Sequence, residues 1–124
     1  MLHVGVDVIE IERIASAVDR WENRFLDRIY TPNELAFSRR RIPQLAGRFA
    51  AKEAVMKALG TGARGVSWRD IEVTRKRGFP PEIQLHGRAL ARSRILNLER
   101  IAISISHSRH YAIAMAVGES NENC

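Results

Sequence analysis

Residues 2–9, LHVGVDVI, alternate between two kinds of side chain. Leu2, Val4, Val6 and Val8 fall on one side of an expected strand, and His3, Gly5 and Asp7 on the other. Over residues 10–28 the period lengthens to that of a helix, with Ile11, Ile14, Ala15 and Val18 forming a stripe. Arg13, Arg20 and Arg24 lie off that stripe, while Phe25 and Leu26 add a further apolar step. Thr31-Pro32-Asn33-Glu34 reads as a helix start, with a capping residue, a proline tolerated in the first turn and the glutamate of a capping box. Arg39 to Pro43 breaks the chain between helices. The strongest helical segment, PQLAGRFAAKEAVMKAL over residues 43–59, stops at Gly60, suited to the left-handed terminal position.

The second half changes character. Residues 68–74 (WRDIEVT) and 82–86 (EIQLH) read as strands around a turn at 75–81, and 88–97 as a basic amphipathic helix. IAISIS (101–106) and YAIAMAV (111–117) read as two strands joined at Ser108–His110. The expectation is a single α+β domain over 1–118, an antiparallel sheet with packed helices, followed by a polar tail over 119–124. At 124 residues there is room for one core, which hides about two-thirds of the unfolded surface and leaves area for association with further copies.

Charge narrows the partner more than the fold. Twenty Lys and Arg against fourteen Asp and Glu give a formal +6, a field that draws phosphorylated cofactors, nucleic acids, anionic membranes or acidic proteins. The single cysteine, Cys124, provides no disulfide partner and no CxxC pair, which suits a reducing cytoplasm. The opening MLHVGVDVIEIER is interrupted early by Asp7 and carries no basic leader, so it does not read as a signal peptide. No run approaches the roughly 20 apolar residues that span a bilayer.

Asp7 stands out within VGVDVI, because a carboxylate there needs a compensating partner. It either caps the following helix or ligates a metal. Glu53 sits at the edge of the apolar face drawn by Leu45, Phe49, Met56 and Leu59, with Lys52 turned towards that face. Spaced i, i+4 from Lys57, it also fits an ordinary surface ion pair. His107 and His110 lack a third nitrogen or sulfur ligand for zinc. The hard oxygens of Asp7 and Glu53 suit Mg²⁺, which retains waters and shares its shell with phosphates. Gly60-Thr61-Gly62 can approach a phosphate but lacks the spacing of a nucleotide-binding P-loop.

Taken in order, these segments resemble one family, the short bacterial holo-acyl-carrier-protein synthases among the 4′-phosphopantetheinyl transferases. GVDVIEIERI (5–14) resembles its G-[ILTV]-D-[ILV] opening, and FLDRIYTPNEL (25–35) its R-[IV]-[LFY]-[TS]-x-x-E segment. GRFAAKEAVMKALGTG (47–62) resembles its F-[AS]-x-KE-[AS]-x-x-KA block, and WRDIEV, the G-x-P turn at 78–80 and ISISHSRHYAIAMAV complete the likeness. Two details depart from the pattern: the turn reads GFPPE, with a second proline, and the stretch around Trp21 carries an extra residue.

The resemblance implies a 4′-phosphopantetheinyl transferase fold and a homotrimer with active sites between subunits. It implies transfer of phosphopantetheine from coenzyme A to a serine of an acidic apo-acyl carrier protein, with 3′,5′-ADP leaving. Asp7 and Glu53 would bind Mg²⁺, Lys57 would offset phosphoryl charge, and either Glu53 or a water would take the serine proton. Arg48, Lys57, Gly60, Ser106 and His107 would hold coenzyme A. Arg13, Arg20, Arg24 and Phe25 would meet the carrier protein. Two rivals use the same residues differently. A basic nucleic-acid module explains the arginines but shows none of the usual motifs. A metal-dependent nuclease could use Asp7, Glu53 and Lys57 but leaves the GTG turn without a role.

Overall fold

The computed structural model describes residues 1–121; Glu122, Asn123 and Cys124 of the expected tail lie outside the described residues. Strand β1 (Leu2–Glu10) leads directly into helix α1 (Ile11–Trp21), followed by α2 (Asn23–Ile29), α3 (Pro32–Ser38) and the long α4 (Ile42–Leu59). A hairpin of β2 (Ile71–Thr74) and β3 (Glu82–Leu85), helix α5 (Gly87–Ile95) and the pair β4 (Leu98–His107) and β5 (Tyr111–Ser120) complete the chain. The larger sheet is antiparallel in the order β1-β5-β4, and β2-β3 forms a second, two-stranded sheet. This is the expected α+β architecture. The helical run foreseen over 10–28 is broken at Glu22, whose φ of 49° no regular helix accommodates. Residues 68–70 form a 3₁₀ turn ahead of a shorter strand, and β5 continues through Glu119 and Ser120, which were expected in the tail.

Helix α4 lies across the three-stranded sheet as the central element, and residues on nearly all its sides are buried. The sheet face beneath it is built from small side chains: Gly5 on β1, and Ala112, Ala114, Ala116 and Gly118 on β5. Gly5 is obligatory, because a Cβ there would stand 1.9 Å from the Ala54 carbonyl oxygen. The strand backbone therefore rests almost on the helix backbone. Alternation sends the large residues the other way. Leu2, Val4, Val6 and Val8 share the outer face with Ile113 and Met115, all exposed in the single chain. The capping box at Thr31 and Glu34 forms as the sequence predicts, and Gly60 ends α4 at φ 72°.

Candidate active site

The close approach of β1 to α4 brings Asp7 against the C-terminal half of that helix. Lys57 donates from Nζ to the Val6 carbonyl oxygen at 2.8 Å and to Asp7 Oδ1 at 3.2 Å. The Asp7 side chain is 11% exposed and that of Lys57 54%, so the ammonium stands at the mouth of the site above a nearly enclosed carboxylate. The ion pair joins Lys57 to Asp7, rather than to Glu53 as i, i+4 spacing alone suggested.

Glu53 instead faces Asp7. Its carboxyl is pushed up to about 7, first by desolvation and then by the hydrogen-bonding contact and negative charge of Asp7, against the opposing charges of Lys57 and Arg13. Two carboxylates in contact are both acceptors, so the pair holds together only with a shared proton or a cation between them. Asp7 Oδ2 is buried and has no hydrogen-bond partner among the described residues. This orphaned oxygen beside a second carboxyl is a hard, anionic donor set with an unfilled requirement for positive charge. That chemistry fits Mg²⁺.

A cleft of about 350 Å³ opens at the start of α4, lined by Gln44, Arg48, Arg75, Ser106 and His107 among others. It brings together three of the residues expected to bind coenzyme A: Arg48, Ser106 and His107. Arg48 is buried, donates to Gln44 Oε1 at 3.2 Å and lies over the Phe37 ring at 5.2 Å. Its Nε has no partner among the described residues. Burial pulls the guanidinium below its ordinary value, Glu34 opposes that, and Arg75 adds to the lowering. Among the described residues lining the cleft none is acidic, and the guanidinium groups of Arg48 and Arg75 suit an anion. Across the sheet, Asp7 pairs with Ala114 and Ala114 with Ile105, placing Asp7 and the cleft wall in one row, about 10 Å apart at two strand spacings.

Gly60 is not brought into this cleft. Twelve residues separate it from Arg48 along α4, about 18 Å of helix, and its neighbour is Arg92. Arg13 and Arg20 are exposed on α1, and the guanidinium groups of Arg20 and Arg24 lie 4.8 and 6.0 Å from the centre of the Trp21 ring. Phe25 turns inward and heads an aromatic stack through Phe49 to Trp68. Sequence reasoning overlooked Gln44 and Arg75. The latter was visible only as part of a basic turn, and what exposes its place is the hairpin folding back over α4.

A family model for the 4′-phosphopantetheinyl transferase superfamily matches residues 3–116. The chain belongs to that family. Within it, the chain is similar to holo-[acyl-carrier-protein] synthases. That of Dehalococcoides mccartyi is 48% identical over 119 residues, covering 96% of this chain and 99% of the relative. That of Moorella thermoacetica is 47% identical over 124 residues, 98% and 96% of the two chains. Among solved structures, the Helicobacter pylori synthase in complex with coenzyme A superposes with a TM-score of 0.85 at 32% identity, covering 94% of this chain and 99% of that one. The expected family and fold are thereby borne out.

Proposed function

We infer that the chain is an enzyme that transfers the 4′-phosphopantetheine of coenzyme A to a serine of apo-acyl carrier protein, releasing 3′,5′-ADP. The observation that carries this reading is the under-neutralised Asp7–Glu53 pair beside Lys57, in one sheet row with a cleft that has no acidic residue among the described residues lining it. Asp7 and Glu53 are the residues that would hold Mg²⁺, which when bound supplies positive charge to the pyrophosphate oxygens. Lys57 is placed to offset charge developing on the transferred phosphoryl group, the main demand in such reactions. Arg48, Ser106 and His107 receive the nucleotide phosphates, and Arg48 Nε, without a partner among the described residues, is a ready donor.

The exposed face of β1 and β5 supports assembly into a homotrimer. Leu2 is 63% exposed, Val4 and Val8 are each 56%, and Met115 is 49%, so a continuous apolar sheet face awaits cover. The separation of Gly60 from the Arg48 cleft supports active sites completed between copies. No helix among the described residues is long and apolar enough to cross a membrane, and we place the enzyme in the cytoplasm. Arg13, Arg20 and Arg24 present positive charge for an acidic carrier. Phe25 contributes from beneath them, given its inward stacking.

The test is the intact mass of an apo-acyl carrier protein after incubation with the enzyme, coenzyme A and Mg²⁺, with an EDTA control. The expected result is a phosphopantetheine-sized gain that EDTA abolishes. No gain with several apo carriers overturns the activity; a gain that persists in EDTA overturns the metal. Light scattering should give three times the 14.0 kDa chain mass.

A further inference from the structure

Directly before Glu53 stands a side chain with no place in the chemistry above. Lys52 is completely buried, as is the carboxylate it meets, Glu34 of α3. All three protons of its ammonium are used: Nζ donates to Glu34 Oε1 at 2.7 Å, to the Ile71 carbonyl at 2.6 Å and to the Trp68 carbonyl at 3.1 Å. Glu34 is equally committed. Its Oε1 also accepts from the Thr31 backbone at 2.9 Å, and its Oε2 accepts from the Val73 backbone at 3.1 Å. One ion pair thus ties α4 to α3, to the start of β2 and to the 3₁₀ turn before it.

Stability alone does not account for it. Burial lowers the proton affinity of Lys52, opposed by Glu34, and removing two charges from water costs several kcal/mol per ion. Buried pairs of this kind can commonly be replaced by packed apolar residues without loss of stability. What such a pair supplies is position. Consecutive helix residues diverge by about 100°, so a lysine fixed towards α3 and β2 sets the direction in which residue 53 leaves the helix. On the opposite side, Gly5 against the Ala54 carbonyl leaves α4 no room to shift. A rotation of roughly 20° would carry a carboxylate on the helix's ~6 Å outer radius by about 2 Å.

We propose that Lys52, through its buried pair with Glu34, is a positioning residue that sets the rotation of α4 and so holds Glu53 in contact with Asp7. The proposal rests on the reading of Asp7 and Glu53 as the metal-binding pair. It predicts that loosening the clamp weakens metal binding more than it weakens the fold.

The test compares Mn²⁺ affinity, read from loss of the free-ion electron paramagnetic resonance signal, in the intact protein and three variants. K52M/E34Q removes both charges at nearly constant shape. Val66→Ala is a destabilised control at a buried residue outside the site. Glu53→Gln tests the underlying assignment. K52M/E34Q is expected to melt cooperatively yet bind Mn²⁺ at least 10-fold more weakly, with its half-saturating Mg²⁺ in the transfer assay raised in proportion and KM for coenzyme A changed far less. Val66→Ala should keep the original affinity despite a lower Tm. Unchanged Mn²⁺ affinity in a folded K52M/E34Q overturns the positioning role. If that variant does not fold, Lys52→Arg, which keeps the ion pair but cannot reproduce the three-point geometry of the ammonium, decides: a several-fold loss supports the role and unchanged affinity overturns it. Should Glu53→Gln bind Mn²⁺ normally, the metal assignment fails instead, which separates the two failures.

Discussion

Helix α4 carries two charge clusters on adjacent residues, and they are treated in opposite ways. On one side Lys52 and Glu34 are sealed from solvent with every donor matched to an acceptor. On the other, Asp7 and Glu53 bring two acceptors together, leave a buried oxygen without a partner among the described residues and place Lys57 half in solvent. A saturated cluster has nothing left to offer a ligand and can only fix geometry. An under-neutralised one is costly by itself and recovers that cost when a cation and phosphates arrive. The difference between them separates scaffold from chemistry on a single helix.

The sharpest way to break this comparison is to relieve the under-neutralised side. Glu53→Gln should lower transfer by about 10³-fold or more, measured as carrier mass gain per unit time, since on the proposed reading it removes one of the two carboxylates that would hold the metal. The same variant should be at least as stable as the original without metal. The folded chain holds the Glu53 proton up to about 7, whereas the unfolded carboxyl releases it near 4.5. Between those values the folded state binds more protons, so its stability falls as pH rises through the window. In EDTA, the Tm advantage of Glu53→Gln should therefore grow by a few degrees from pH 5 to pH 8. A constant gap would mean that Glu53 is neither desolvated nor held against Asp7.

Gly5→Ala attacks the contact that creates the site. A methyl 1.9 Å from the Ala54 carbonyl must push β1 off α4 by more than 1 Å, parting Asp7 from Glu53. Misplacement on that scale costs about 10² in rate, and the strain should also lower Tm. Lys57→Ala leaves both carboxylates in place but removes the ammonium paired with Asp7. We expect turnover at saturating coenzyme A to fall by about 10², with less change in KM. If KM rises and kcat holds, Lys57 binds the donor without acting on the reaction.

The candidate residues of this site stand out in the sequence because their signals are local. Taken alone, each keeps an ordinary structural reading, and the family resemblance supplies the proposed roles. Asp7 breaks an apolar strand, and Glu53 and Lys57 share one helix block. Long-range consequences were not legible. Glu34 reads as the glutamate of a capping box, and it is one. Nothing local says that the same carboxylate also reaches Lys52 eighteen residues on and the Val73 backbone thirty-nine residues on. The alternation of β1 was correct, but hydrophobicity alone would bury the valines. The requirement for close backbone packing on α4 selects the Gly5 and alanine side, turning the valines outward. A helical wheel for 45–59 likewise found one apolar face, whereas a helix central to the core is covered on nearly all sides. The break at Glu22 directly follows Trp21, and beyond it Phe25 is half-buried and packs on Phe49 at the edge of the core.

The smallest expected effect lies at the rim, where the comparison can be sharpened rather than broken. Arg13 is exposed on α1, yet its charge is felt by Glu53, so it links the outer basic surface to the carboxylate pair. Arg13→Glu should therefore act twice. Reversal of an exposed charge weakens encounter with an acidic carrier, and the loss is screened by salt over a Debye length of about 10 Å at 0.1 M. Apparent KM for the carrier should rise by about 10-fold at low ionic strength and by much less at high salt. Removing a positive charge near Glu53 should also move the proton-linked limb of the rate profile upward, an effect that excess carrier cannot reverse. A variant showing the salt-dependent loss alone would make Arg13 a docking residue only. One showing neither would place it among the solvated arginines, and the carrier surface would then begin further along, at Arg20 and Arg24.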